Sequence, residues 1–138
     1  MIAAGVGCRK GCDGAEIAGL LTAAFDEAAL TAAQRAAVRL AVPAIKRDEP
    51  GVADAARRLD LPVTVIDAAS LAAAQDRTVT RSATVAAAVG LASVAEAAAL
   101  AAVGPSGRLL LPRRSTPRAT VALATDALAA LALSESTP

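Results

Sequence analysis

The sequence contains no histidine, tryptophan or tyrosine, and Phe25 is its one aromatic residue. The lack of histidine removes the commonest general base and the commonest metal ligand. The lack of aromatic rings removes the side chains on which nucleic-acid bases stack. A formal net charge of +1 also supplies no overall attraction for nucleic acid. We therefore expect no nucleic-acid partner, and any preference for anions must come from local clusters of Lys and Arg.

Cysteine is also scarce, and both copies, Cys8 and Cys12, lie in one short segment. Two thiols are too few for a secreted disulfide framework, and their spacing is not that of a common metal or redox pair. The neighbouring Arg9 and a helix N-terminus would lower the pKa of Cys8. Because no histidine is available to activate a thiol, we interpret both cysteines as ordinary reduced side chains and predict no metal or cofactor.

No segment resembles a targeting sequence or a membrane span. The N-terminus has no basic region ahead of an apolar stretch, which a signal peptide requires. The alanine-rich run over residues 82–104 contains Glu96, and a charged group inside a bilayer costs several kcal/mol. We therefore expect a cytoplasmic protein with no membrane partner.

The 138 residues suit one domain, and we expect residues 1–138 to form it. Hydrophobic residues make up 55% of the chain, but about 40 of them are alanine, whose small side chain buries little area. Leu, Val and Ile must therefore supply most of the core.

The apolar pattern near the N-terminus predicts a strand followed by a helix. Residues 2–6 form a short apolar run that ends at a glycine, which is typical of a buried strand. Asp13 is a good N-cap, and Glu16 completes a capping box with it. Apolar residues then recur at helical spacing over residues 15–29, so this helix is the most clearly marked element.

A second capping box is predicted at Ser93 and Glu96, before a helix over residues 94–103 that Gly104 and Pro105 end. Glu96 is therefore either a capping partner alone or also a carboxylate of a site.

Strands and helices alternate along the rest of the chain. Further strands are predicted at residues 38–42, 61–66, 108–111 and 120–125, and further helices at 52–59, 71–74, 83–89 and 126–133. Asp67 is the predicted cap of the helix that runs through residues 71–74. This order implies a mainly parallel sheet covered on both faces, with an antiparallel pair at the C-terminal end. The predicted fold class is therefore α/β.

A glycine-rich, basic segment, GVGCRKGCDG from Gly5 to Gly14, connects the first strand to the first helix. Free backbone amides and the dipole of the following helix favour an anion at such a position. The glycines allow a ligand to approach the backbone, and Arg9 and Lys10 add two cations. Neither the dinucleotide pattern GxGxxG nor the phosphate-loop pattern GxxxxGKS/T fits. The segment is either an anion cradle or an ordinary tight connection.

A second charged cluster, Lys46 to Glu49, follows the second predicted strand. Pro50 forces Glu49 into an extended conformation, which places the cluster on the strand-exit side. Ligands of open α/β sheets bind at the carboxyl ends of the strands. The alternative is a solvated loop with internal ion pairs.

Four groups of motifs, taken together, resemble one family. They are GVGCRKGC with the helix start AEI, KRDEPG, GLASVAEAAAL, and LLLPRR with ATVALA. In this order and spacing they are similar to CobE and to the C-terminal domain of CbiG, which belong to cobalamin biosynthesis. The resemblance runs from Ile2 to about Ala124.

The resemblance implies a three-layer α/β/α sandwich with a sheet of about five strands, and a role in building the corrin ring. CbiG-type proteins open the lactone of cobalt-precorrin-5A and release acetaldehyde. CobE is the stand-alone relative, for which binding of an intermediate is one proposal. Because the chain has no room for the other CbiG domains, it looks like a stand-alone CobE.

The implied partner is a corrinoid or precorrin intermediate, whose acetate and propionate carboxylates require several converging donors. Arg113, Arg114 and Arg118 near the C-terminus could supply some of them. The shortage of aromatic residues favours a cleft shared with another cobalamin-pathway enzyme or with a second copy of the chain. The candidate ligand-binding residues are Gly5, Gly7, Cys8, Arg9, Lys10, Gly11, Lys46, Glu49, Ser93 and Glu96.

Two alternatives to simple binding remain open. A hydrolase of CbiG type needs a base and an oxyanion stabiliser. Glu49 or Asp48 could be that base, with Arg9 or loop amides as the stabiliser. A nucleotide-binding α/β domain is disfavoured by the missing phosphate-binding patterns.

Overall fold

The computed structural model describes residues 1–78 and 89–126, with the backbone alone for residues 89–93. The strands in this part of the chain are β1 (Ile2–Cys8), β2 (Arg39–Pro43), β3 (Val63–Ile66), β4 (Arg108–Ser115) and β5 (Ala119–Thr125). The helices are α1 (Gly14–Glu27), α2 (Ala32–Ala36), α3 (Pro50–Leu59), α4 (Ala68–Ala74) and α5 (Val89–Val103). Short 3-10 helices lie at Ala44–Lys46 and Gln75–Arg77.

The strands form one mixed sheet in the order β3-β2-β1-β5-β4. The pairs β1–β2 and β2–β3 are parallel, whereas β1–β5 and β4–β5 are antiparallel. Helices α1 and α3 cover one face of the sheet, and α4 and α5 cover the other. These three layers confirm the predicted α/β/α sandwich and its C-terminal antiparallel pair. The sheet is less parallel than expected because β5 also lies antiparallel to β1.

The central strand, β1, is buried along its whole length. On one face, Val6 packs in a cluster with Ile17 and Leu21 of α1. On the other face, a Cβ atom at Gly5 would overlap the backbone carbonyl oxygen of Ala95. Helix α5 therefore packs directly on the backbone of β1, and the missing side chain at Gly5 permits this approach.

Helix α5 runs in the direction opposite to β1. Ala95 lies over the middle of the strand, whereas Val103 lies beside Gly107, close to the backbone of Thr125. Thr125 pairs with Ile2 at the start of β1. The N-terminal part of α5 is therefore directed toward the edge of the sheet where β1 ends.

The C-terminal end of α5 is closed as the sequence predicts. Gly104 has φ of 89°, and its N–H donates to the Leu100 carbonyl at 3.1 Å. The Arg77 guanidinium adds bonds to the carbonyl oxygens of Leu100, at 3.2 Å, and Gly107, at 3.1 Å. The Arg77 guanidinium therefore joins the last turn of α5 to the loop that follows it.

The predicted start of this helix is wrong, because α5 begins at Val89 and contains Ser93. Ser93 is therefore not an N-cap, and the second predicted capping box does not form. The first capping box is also wrong in part. Asp13 does cap α1, accepting from the Ala15 N–H at 2.9 Å, but the Glu16 carboxylate bonds to other residues, as described below.

Two strands are longer than predicted. β1 continues beyond Val6 because Gly7 and Cys8 pair with β5. β4 continues to Ser115, so the three-residue hairpin turn Thr116–Arg118 connects it to β5.

Helix α2 was not predicted, although Thr31 and Gln34 give it a complete capping box. The helices predicted over residues 83–89 and 126–133 fall largely outside the described residues. Within residues 1–78 and 89–126, no helix combines the length and apolar character that a membrane span needs.

Candidate functional site

The candidate site lies at the edge of the sheet where the parallel strands β1 and β2 end, which we call the carboxyl edge. Each strand leads there into a loop and then into a helix N-terminus. The first loop, residues 9–13, connects β1 to α1, and the second loop, residues 44–49, connects β2 to α3. The two predicted clusters therefore lie on adjacent connections at one edge, as the strand order requires.

The first loop is a tight turn that requires glycine. The N–H of Cys12 donates to the carbonyl of Arg9 at 3.0 Å, and Gly11 has φ of 78°. Side chains with a Cβ atom rarely adopt this left-handed conformation. The turn leaves Arg9 and Lys10 exposed at its tip.

The second loop holds the first through Glu49. The Glu49 carboxylate accepts a hydrogen bond from the Gly11 N–H at 2.6 Å. Next along the chain, a Cβ atom at Gly51 would overlap the carbonyl oxygen of Cys12, so α3 begins in direct contact with the first loop. These two contacts place Glu49 beside the first loop, and the Glu49 N–H also donates to the Lys46 carbonyl at 3.1 Å.

The hairpin turn holds the first loop from the opposite side. The Arg9 N–H donates to the Arg118 carbonyl at 2.8 Å. The Glu16 carboxylate, in the first turn of α1, accepts from the Thr116 hydroxyl and from the Arg118 N–H, the latter at 3.2 Å. The first loop is thus fixed between Glu49 and the hairpin turn.

Three of the four basic side chains of the two loops have no acidic partner within the described residues, whereas Arg47 lies 3.9 Å from Asp48. Arg9 and Lys10 are exposed and Lys46 is half-buried, and none of them forms a side-chain hydrogen bond or ion pair within the described residues. Arginines on α3 behave differently, since Arg58 and then Arg57 hold the pKa of the Asp54 carboxyl below its usual value. The cations Arg9, Lys10 and Lys46 are therefore not held in ion pairs by carboxylates of the described residues.

The acidic residues predicted as general bases differ in their surroundings. Glu49 is half-buried and bonded to Gly11. Asp48 has a side chain that is 95% exposed, and its contact with Arg47 is long, at 3.9 Å. Of the two, Glu49 has the fixed position in the cluster.

Both cysteines are free and buried beneath the loops. Burial raises the pKa of the Cys8 thiol to about 11, with Glu49 adding to the increase and Lys46 opposing it. The pKa of Cys12 is also raised, first by burial and then by Glu16, while Arg118 opposes the change. The lowered pKa predicted for Cys8 is wrong, because burial outweighs the nearby cations. A protonated thiol is a poor nucleophile, so neither cysteine is primed to attack at neutral pH.

Three of the candidate ligand-binding residues lie below the loop tip. Gly5, Gly7 and Cys8 are buried positions of β1. Gly5 packs against α5, and Gly7 pairs with Thr120 of β5, whose hydroxyl donates to the Gly7 carbonyl at 3.4 Å. The structure therefore gives Gly5 and Gly7 a packing and pairing role under the site.

The candidates on α5 are set back from the first loop. The backbone of Ser93 lies in the part of α5 directed toward the carboxyl edge. Glu96 is fully buried, and its carboxylate accepts from the Arg113 N–H of β4 at 2.9 Å. Glu96 therefore joins α5 to β4.

The three C-terminal arginines have three different environments. Arg114 forms an ion pair with Glu27 at 2.6 Å. Arg113 has a buried Nε with no hydrogen-bond partner in the described part of the chain. Arg118 lies in the hairpin turn beside Arg9 and is exposed. The two arginines of the LLLPRR motif therefore do not supply a pair of exposed cations at the carboxyl edge, whereas Arg118 lies next to the first loop.

Sequence reasoning missed Glu16 as a contact between α1 and the hairpin turn. A local capping role accounted for it, and its observed partners Thr116 and Arg118 lie 100 and 102 positions further along the chain. Among residues 1–78 and 89–126, no group of three or more Cys, Asp or Glu side chains is arranged to hold a metal ion.

The chain is similar to known proteins over nearly its whole length. The family model described as "Cobalamin synthesis G C-terminus" matches residues 2–124. A solved structure of CobE, a protein from the cobalamin (vitamin B12) biosynthetic pathway, has 37% identity and a TM-score of 0.73, over 90% of this chain and 89% of that one. The cobalamin biosynthesis protein chiG from Agrobacterium tumefaciens has 31% identity and a TM-score of 0.69, over 92% of this chain and 99% of that one.

A cobalamin biosynthesis protein G homolog from Sulfolobus solfataricus shares the fold, with 19% identity and a TM-score of 0.62, over 90% of this chain and 36% of that one. A comparison with curated protein sequences finds no match.

Proposed function

Because this chain belongs to the cobalamin biosynthesis family defined by the C-terminus of cobalamin synthesis protein G, we propose that it binds a corrin-ring precursor through that ligand's carboxylates. The proposed site is the carboxyl edge, with Arg9 and Lys10 of the first loop and Lys46 of the second as the binding cations.

One observation carries the proposal: these three cations lie on adjacent loops and have no acidic partner within the described residues. An exposed charge is hydrated rather than paired, so a ligand carboxylate can replace water without breaking an existing ion pair. Charge-assisted hydrogen bonds to a carboxylate are roughly twice as strong as neutral ones. Several of them, acting together on one ligand, would give useful affinity at an open surface.

The fixed backbone of the first loop supports the same proposal. Glu49 holds the Gly11 amide and the hairpin turn holds the Arg9 amide, so the tip between them is ordered before any ligand arrives. Binding to an ordered loop avoids the entropy loss of ordering it. Glu49 acts here as a positioning residue, and Gly11 as the residue whose conformation allows the turn.

The hydrolase alternative has one supporting observation, the half-buried carboxylate of Glu49 beside Lys46 and Cys8. A general base must be free to accept a proton from water. The bond from Gly11 already occupies one oxygen of Glu49, and that oxygen would have to be released before it could accept a proton from water. We therefore place binding ahead of hydrolysis.

Absorbance titration with hydrogenobyrinic acid tests binding, because the corrin chromophore reports directly on its environment. We expect saturable binding in the micromolar range, and a loss of about tenfold in affinity for Lys46→Ala. Arg108→Ala removes the same charge from an exposed position at the opposite edge of the sheet, and it should leave affinity unchanged. The absence of binding by the unaltered chain would overturn the proposal.

An acetaldehyde assay with cobalt-precorrin-5A tests the alternative. Turnover by the unaltered chain that is abolished in Glu49→Gln would favour hydrolysis over simple binding. Turnover that Glu49→Gln retains would remove Glu49 from the mechanism.

A further inference from the structure

We infer that Arg118 is a fourth ligand-binding cation of the carboxyl edge, and that Glu16 is the residue that positions it. This inference rests on the proposed binding of a polycarboxylate corrinoid and adds a determinant of its specificity. The sequence motifs place Arg118 among three C-terminal arginines without distinguishing them, whereas the contacts of the hairpin turn do.

Backbone contacts make Arg118 and Arg9 neighbours. The Arg9 N–H donates to the Arg118 carbonyl at 2.8 Å, which continues the antiparallel pairing of β1 and β5 by one step. Both residues thus leave the sheet at the same edge, and both are exposed.

Glu16 holds the turn that carries Arg118. Its carboxylate accepts from the Thr116 hydroxyl and from the Arg118 N–H at 3.2 Å, so both ends of the three-residue turn are attached to the first turn of α1. The Thr116 N–H also donates to the Ala119 carbonyl at 2.9 Å, which closes the turn on itself. Glu16 binds the backbone N–H of Arg118 and not its side chain, so the guanidinium can still bind a ligand.

The side chain of Arg118 is available, unlike that of Arg114 on the same hairpin. Arg114 donates to both carboxylate oxygens of Glu27, at 3.1 and 2.9 Å from Nε. Arg118 forms no side-chain hydrogen bond or ion pair within the described residues. Burial and then Glu16 raise the pKa of Cys12, and the charge of Arg118 opposes this increase. The Arg118 charge therefore acts near the base of the first loop.

Two exposed arginines at paired backbone positions favour a particular ligand chemistry. Each can bind a carboxylate through paired N–H donors, but like charges held close together repel until an anion lies between them. A ligand with carboxylates on adjacent side chains satisfies both groups, whereas a neutral amide accepts hydrogen bonds without neutralising the charge. The site should therefore prefer a corrinoid with free acids over one whose acids have been converted to amides.

Titrations of the full chain with two corrinoids test this inference. Hydrogenobyrinic acid is the acidic probe, and cobinamide is the amidated one. We expect Arg118→Ala to weaken binding of the acid about tenfold, to leave the weaker binding of cobinamide within twofold, and to reduce the salt dependence of acid binding. Arg114→Ala, a matched change on the same hairpin, should leave both affinities unchanged.

A double-mutant cycle tests the role of Glu16. If Glu16 acts by positioning Arg118, then Arg118→Ala should cost less than about twofold in a Glu16→Ala background. Glu16→Gln keeps an acceptor oxygen and should retain most of the affinity, with thermal unfolding confirming that each variant is folded. Full additivity in the cycle would overturn the positioning role.

The outcomes separate the inference from the function on which it rests. Binding by the unaltered chain with no effect of Arg118→Ala would overturn the inference and leave the proposed function standing. Failure of the unaltered chain to bind hydrogenobyrinic acid would overturn both.

Discussion

The Glu49 carboxylate and the Gly11 backbone amide form the hydrogen bond that joins the two loops of the candidate site, at 2.6 Å. Glu49 follows β2 and Gly11 follows β1, so the contact links two adjacent parallel strands at the point where they end. It also stabilises the left-handed turn at Gly11 from outside the turn. Loss of this bond should loosen the first loop without disturbing the sheet beneath it.

Hydrogen exchange at the Gly11 amide tests this contact. In Glu49→Ala the amide loses its acceptor, and we expect its exchange to accelerate about tenfold, whereas Glu49→Gln keeps a neutral acceptor and should show a smaller change. Glu27→Ala removes an acid from the other end of α1 and serves as the control, with no change expected at Gly11. Equal exchange rates in all four proteins would show that Glu49 does not order the loop.

The Cys8 thiol should make stability depend on pH under alkaline conditions. Burial raises its pKa from 9.0 to about 11, so the folded chain keeps the proton at pH values where the unfolded chain loses it. The stabilisation is fully present below pH 9 and is lost between pH 9 and about 11, by about 3 kcal/mol. Urea unfolding across this range should show the loss in the unaltered chain.

Cys8→Ala isolates this effect, because it removes the titrating group and leaves the other alkaline groups in place. Its free energy of unfolding should be lower at neutral pH and fall less steeply above pH 9. Parallel curves for the two proteins would contradict the assignment of the alkaline loss to Cys8.

Two glycine substitutions should have opposite effects on stability, because Gly5 lies against α5 and Gly19 lies in open space. Gly5→Ala introduces a Cβ atom that would overlap the Ala95 carbonyl, and we expect it to lower the free energy of unfolding by about 3 kcal/mol. Gly19→Ala places a Cβ atom in open space within α1 and should raise stability by about 0.5–1 kcal/mol. Denaturant unfolding measures both, and similar stability of Gly5→Ala and the unaltered chain would rule out the direct contact.

The Arg77 guanidinium should stabilise the C-terminal end of α5. It donates to three carbonyls, those of Leu100, Pro105 and Gly107, so its loss removes the hydrogen bonds that join the end of α5 to the following loop. We expect Arg77→Ala to cost about 1–2 kcal/mol in thermal or denaturant unfolding. Arg39→Ala, at an exposed position of β2, should cost little, and equal effects of the two substitutions would argue against the cap.

The secondary structure could be predicted where the signal is local. Asp67 caps α4 through the Ser70 N–H at 2.7 Å, and Gly104 ends α5, as their residue types indicate. The start of α5 at Val89 could not be predicted, because Ser93 offers a local capping signal that the longer helix overrides. The pairing of β5 with β1 could not be predicted either, because the fully buried pattern of β5 suits any central strand.

The site was predictable to the same extent. The motifs around Arg9 and Lys46 placed each cluster at the end of a predicted strand, and the parallel pairing of β1 with β2 brings the two clusters together. The environment of Cys8 was misjudged, because neighbours in sequence suggested positive charge and the fold supplied burial. Glu16 was missed because its partners are distant in sequence. The sequence therefore predicted features that depend on neighbouring residues, but it did not predict contacts or burial that depend on segments distant along the chain.

The most direct test of the proposed site compares two double variants in the hydrogenobyrinic acid titration. Arg9→Ala with Lys10→Ala removes two charges from the first loop, and Arg39→Ala with Arg108→Ala removes two from exposed positions at the opposite edge of the sheet. The proposal predicts a loss of about a hundredfold in affinity for the first variant and little change for the second. Equal losses in the two variants, or no binding by the unaltered chain, would contradict it.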